Sequence, residues 1–177
     1  YVMGGVRVDA DSQMSCVPGL FAAGEVAGGL HGANRLGGNS LSDLVVFGKR
    51  AGEFAAKFAS ENPDGVIEQE QLDTVAKMAL EPLERQGTGD GPFQLQYELQ
   101  EMMQSQVGIV RNDEELRKAL GELERLAERV KQVQTPGNRE YNSGWHTALD
   151  LRNLMPVAEA VTRAAIERKE SRGAHFR

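Results

Sequence analysis

The stretch "HGANRLGGNSLSDLVVFGKRAGEFAAKF", residues 31–58, joins two unlike pieces of chain. Its opening, "HGANRLGGNSL", holds three glycines, two asparagines and one arginine, with almost no bulk. Beyond it Leu41, Leu44, Val45, Phe47, Phe54 and Phe58 recur at helical spacing, which predicts a helix with an apolar face over residues 41–58. Ser40 and Asp43 stand at the S-x-x-D spacing of a capping box, marking the helix start. Glycines allow positive φ and close approach of backbone to a ligand. A helix start presents free N–H groups and the positive end of the helix dipole. Together they suit an anion or a polarised carbonyl oxygen. The segment is neither G-x-x-x-x-G-K-[ST] nor G-x-G-x-x-G, so glycine spacing alone supports a ligand cradle and an ordinary helix-leading loop equally. Arg35 shifts the balance: a cation beside an electropositive helix end calls for something negative, and a planar guanidinium grips a carboxylate with two parallel hydrogen bonds. The other reading is a surface arginine, or one paired with Glu25 or Asp43.

Working outward, residues 1–60 hold just over half of the twenty glycines. "VPGLFAAGE" predicts a turn at Pro18-Gly19, then a buried strand over residues 20–23. "SENPDGV" is a polar break. Beyond it glycine thins out and amphipathic helices are expected over residues 66–86, 92–108, 114–133 and 144–172. Pro82 and Pro156 lie inside two of them. Pro92 is placed as a first helical residue, Asn112 or Asp113 as a cap, and Gly173 as a helix stop. Leu116, Leu120, Leu123, Leu126 and Val130 form one stripe. The expected fold class is α+β but mostly α: a glycine-rich piece with short β-prone runs over residues 1–60, then a three-helix-bundle domain over residues 66–177.

Composition excludes several classes. The chain of 177 residues is 40% hydrophobic and 26% charged, with a net charge of −6. An acidic balance without basic runs argues against a nucleic-acid surface, and no apolar run approaches the ~20 residues of a membrane span. The lone Cys16 cannot form an internal disulfide and reads as a buried small residue. No Cys/His spacing suits a metal. Met102 and Met103 read as packing residues, and Trp145 as a core residue beside a solvent-facing His146.

At "YVMGG … VPGLFAAGE … LHGANRLGGNSLSDLVVFGKRAG" the sequence resembles the flavoprotein subunit of succinate dehydrogenase and fumarate reductase. "RAAIERKESRGAHFR" at the end resembles the C-terminal region of that family, so the likeness runs the length of the chain. The resemblance implies that residues 1–60 are the tail of an FAD-binding α/β domain and residues 66–177 a spectrin-repeat-like helical domain, with FAD chemistry in which a hydride passes between flavin N5 and a carbon of succinate or fumarate. It assigns Arg35 as the catalytic arginine that clamps a substrate carboxylate. His31, Gly37 and Gly38 would line the substrate. Gly4 and Gly5 would make the tight turn beside the isoalloxazine. Glu25 would meet the ribityl chain, and Asn39, Ser40 and Leu41 the flavin pyrimidine edge.

The resemblance also implies what lies elsewhere. A chain opening on Tyr1 reads as the C-terminal third of a longer subunit. On that reading a substrate-binding histidine, the dinucleotide fold, the flavin-linking histidine, the proton-shuttle arginine and the capping domain all stand upstream. This piece alone is then expected neither to hold FAD nor to turn over. The implied partners are membrane anchor subunits together with an iron–sulfur subunit, placing the protein in the cytoplasm, peripheral on the inner face of the cell membrane, with electrons coupled to quinone. L-aspartate oxidase is the near alternative, and an inactive helical docking module is the alternative from another class. Arg172, His175 and Arg177 are expected to contact the FAD domain or a partner, or to fray.

Overall fold

A computed structural model describes residues 4–85, 87 and 89–177. Tyr1, Val2 and Met3 of "YVMGG", Gln86 at the end of one expected helix and Thr88 in the following loop lie outside the described residues. The chain divides into two compact units, one comprising Tyr1–Val66 with Arg172–Ala174, the other Ile67–Ser171 with His175–Arg177. The class is as expected, mostly helical with a small amount of sheet.

The first unit pairs β1 (Val6–Arg7) in parallel with β2 (Ala27–Gly28), Val6 opposite Ala27. A 3₁₀ turn at Gly24–Val26 precedes β2. The strand expected over residues 20–23 is reduced to an isolated antiparallel bridge between Met14 and Phe21, and Leu20 is exposed. Asp9 replaces a longer ladder with local turn bonds, its Oδ1 accepting from the backbone of Asp11 and Ser12. Cys16 is exposed, contrary to its expected burial, because the hydroxyl of its neighbour Ser15 takes the inward turn bond from Val17 N–H. Helix α1 spans Asn39–Glu61. It packs on the 3₁₀ turn and, further along, sets Phe58 edge-on to Phe21, with ring centroids 6.2 Å apart. Its apolar face is otherwise open: Leu41, Leu44, Val45 and Val46 are half exposed or more.

The second unit is a three-helix bundle of α3 (Pro92–Gln106), α4 (Asp113–Val130) and α5 (Ser143–Glu167), with α2 (Gln69–Glu84) laid against α5. Leu95, Leu99 and Met102 of α3 meet Leu116, Leu123 and Leu126 of α4 and Leu151 and Met155 of α5 in one core. The stripe read from α4 is buried, except that Leu120 is only partly covered. Asn112 is the cap of α4, its side chain accepting from Glu115 N–H at 2.9 Å, and three acids fill the first turn where the dipole favours them. Pro92 opens α3 as expected.

Pro82 sits in the last turn of α2, and neighbouring side chains absorb its effect. Its missing N–H deprives Met78 of a helical partner. Arg152 Nη1 donates to Met78 O at 2.9 Å, and Trp145 Nε1 donates to Ala79 O at 2.7 Å. Those bonds hold Trp145 half-buried against α2 rather than deep in the core, while His146 faces solvent.

Helix α5 stops at Glu167, so Gly173 does not end it. The following tail is ordered by its own bonds. Phe176 N–H donates to Ile109 O at 3.0 Å, and Arg111 N–H to Phe176 O at 2.8 Å. His175 is buried, and Arg177 pairs with Asp113, which corrects the frayed-end reading. Among the described residues no helix is long and apolar enough to cross a membrane.

Candidate functional site

The residues singled out from the sequence fall on β1, the 3₁₀ turn, the loop after β2 and the start of α1. Gly5 adopts φ +144°, and a Cβ there would stand 2.1 Å from Val26 O. Only glycine lets β1 lie this close to the chain around Val26. Gly24 has the same kind of role: a Cβ would meet Leu44 Cδ2 at 2.5 Å, so its absence lets the turn carrying Glu25 rest on α1. Glu25 itself is exposed, while Gly4 has open space around it.

Short-range backbone bonds turn the loop from His31 to Gly38. Gly32 N–H donates to Gly29 O and Asn39 N–H to Leu36 O, both at 3.3 Å. Gly32, Gly37 and Gly38 have nothing within 4 Å of where a Cβ would lie. Arg35 is half-buried, and its Nη1 lies 3.5 Å from Leu36 O.

The capping box expected from Ser40 and Asp43 is not formed. The N-cap is Gly38, in the left-handed region at φ +82°, and Ser40 is already inside the helix. A capping box needs its hydroxyl on the N-cap in extended conformation, so no side chain caps the first turn. Asp43 turns instead to His31, whose Nε2 donates to Oδ2 at 3.0 Å. It is the one buried residue of α1. Sequence reading missed this pair because S-x-x-D explained the acid locally. A histidine twelve positions upstream, across a glycine loop, was the available signal.

Asn39, Ser40 and Leu41 thus present a helix N-terminus without a side-chain cap, next to two glycines and an exposed Leu41. Such a surface suits a flat apolar ring with polarised oxygens along one edge. The uncapped amides donate toward that edge, and the glycines leave room for the plane. The residues present therefore fit the edge of a flavin. Among the described residues no group of three or more His, Cys, Asp or Glu could hold a metal ion.

Comparison with known proteins points the same way. Residues 96–177 match the family described as fumarate reductase flavoprotein C-term, and residues 1–41 match the FAD binding domain family. The whole chain is 40% identical to the fumarate reductase flavoprotein subunit of Haemophilus influenzae. Over its full length the chain is similar to members of the fumarate reductase and succinate dehydrogenase flavoprotein family. Within that family it is also 36% identical to the succinate dehydrogenase flavoprotein subunit of Coxiella burnetii. The Mycobacterium smegmatis Sdh1 complex in the apo form contains a chain that superposes with a TM-score of 0.96 at 47% identity, over 100% of this chain and 30% of that one. The chain spans about a third of the length of its curated relatives, 30% and 32% in the two cases above.

Proposed function

We propose that the chain is part of an FAD-dependent oxidoreductase that interconverts succinate and fumarate, passing electrons toward quinone through iron–sulfur and membrane anchor subunits. In this reading residues 1–60 belong to the flavin and substrate domain, residues 66–177 form the helical domain, and the complex lies on the inner face of the cell membrane. The observation that carries the proposal is the uncapped start of α1 beside the loop bearing Arg35. The relatives named above are a fumarate reductase and a succinate dehydrogenase, which favours this pair of substrates over L-aspartate.

FAD, when bound, supplies the hydride acceptor or donor. The chain's own residues do the rest of the local work. Asn39, Ser40 and Leu41 hold the ring edge with first-turn amides. The positive helix end there favours negative charge on whatever it faces, which would favour the reduced form of a ring. Gly4, Gly5 and Glu25 would hold the cofactor from the β1 side. Arg35 grips one substrate carboxylate in two-pronged fashion, and Gly37, Gly38 and His31 line the diacid.

The test is substitution of Arg35 in the holoenzyme. Arg35→Gln is expected to lower kcat/KM for succinate and fumarate by about 10²–10³-fold, the scale of removing one preorganised charge-stabilising donor. Arg35→Lys should fall between, since it keeps the charge and loses the fork. Unchanged kcat/KM in Arg35→Gln would remove the proposal. The 177-residue chain by itself should pass through gel filtration without flavin absorbance.

A further inference from the structure

The loop between β2 and α1 carries the proposed substrate residues. Its glycines face open space, and its backbone bonds span three residues each. A side-chain bond crosses the whole loop, from His31 Nε2 to Asp43 Oδ2 at 3.0 Å. The aspartate end of that bond is firmly placed, with its side chain 4% exposed on the first turns of α1, while the histidine end is 19% exposed. Arg35 lies between the two ends.

We propose that Asp43 is a positioning residue. By holding His31 it clasps the two ends of the glycine loop and so sets where Arg35 presents its guanidinium to a dicarboxylate. The functional half of this proposal rests on reading Arg35 as the carboxylate clamp. A carboxylate only accepts, so the bond also keeps the proton on Nε2 and leaves Nδ1 as the second hydrogen-bonding atom of the imidazole. Without the clasp, the glycine-rich backbone samples more states, and capturing a substrate must then restrict them.

The test compares Asp43→Leu, Asp43→Asn, His31→Leu and the double variant His31→Leu/Asp43→Leu in the holoenzyme. Leucine matches the volume of the buried site without accepting a bond, and asparagine keeps an acceptor oxygen. Hydrogen exchange of the peptide covering residues 31–42 is the readout independent of turnover. It should quicken in Asp43→Leu and His31→Leu and stay near wild type in Asp43→Asn. KM for succinate should rise about tenfold or more in both leucine variants, with a smaller fall in kcat and unchanged flavin content. The double variant should be no worse than the single ones, since both break one bond. His31→Leu cuts the bond from its exposed side and decides the matter if Asp43→Leu does not fold. Unchanged exchange in His31→Leu overturns the clasp. Quickened exchange with unchanged KM and full flavin content overturns the positioning role. A wild-type holoenzyme without succinate or fumarate turnover would remove the proposed function instead, and exchange alone would then judge the clasp.

Discussion

The two units use the same pattern to opposite effect. In the second, the helical stripe on α4 closes onto α3 and α5, and Leu95, Leu116 and Leu151 are fully buried. In the first, an equally clear stripe on α1 leaves Leu41 71% and Val45 72% exposed. Apolar periodicity states that a helix has a face to cover, and it is silent about which segment covers it. The glycine-rich first unit is built from close backbone approaches at Gly5 and Gly173. The glycine-poor bundle is built from interlocking side chains. Bond networks follow the same division. In the bundle Arg129 joins Asp90 and Glu98, holding both carboxyls below their ordinary range, whereas the first unit places its buried acid under a loop.

The contrast can be broken most directly at the apolar stripes. Leu151→Ala or Leu116→Ala should cost about 2–5 kcal/mol in urea unfolding, the range for emptying a packed core site. Val45→Ala on α1 should stay within about 0.5 kcal/mol, as surface changes do. Equal costs at the two sites would erase the distinction. Gly173→Ala probes the backbone-built unit. Gly173 holds φ +58°, and a Cβ would stand 2.3 Å from Ala33 O, two residues from Arg35. The strained conformation alone implies about 1–3 kcal/mol, and faster hydrogen exchange at residues 31–38 should accompany it.

Arg152→Ala sharpens the account of α2. It removes the donor to Met78 O beside Pro82 and the ion pair to Glu81, and should cost about 1–2 kcal/mol with α2 exchanging faster than α4. The smallest effect concerns the tail. Burial and the neighbouring Arg111 hold His175 below its ordinary value of 6.5, while its Nδ1 accepts from Arg111 Nη1 at 2.7 Å. The unfolded chain therefore takes up this proton first. The contribution of His175 is full above 6.5 and declines as pH falls below that value, until the folded imidazole also protonates. Unfolding midpoints measured from about pH 7.5 downward should show that decline, and His175→Gln should flatten it.

Much of the bundle was legible because its signals are local. Asn112 capping α4, Pro92 opening α3 and the leucine stripe each depend on residues within one or two turns. The glycine block was legible as a candidate site because glycine, a helix start and an arginine suit the same kind of guest. Asp43 was misread because a local rule gave it a sufficient task, while its actual partner lies across a loop. Gly173 was misread for the same reason: a glycine after a helix looks like a stop, yet here it makes room for Ala33.

The sequence by itself determined the helices, the cap of α4 and the mostly α class, since each follows from short-range sterics, hydrogen bonding and apolar periodicity. Tertiary structure alone decided which apolar faces are covered, that Arg152 and Trp145 complete the carbonyls around Pro82, and that Asp43 holds His31. Those outcomes depend on distances between residues far apart in the chain, and such distances exist only once the chain has folded.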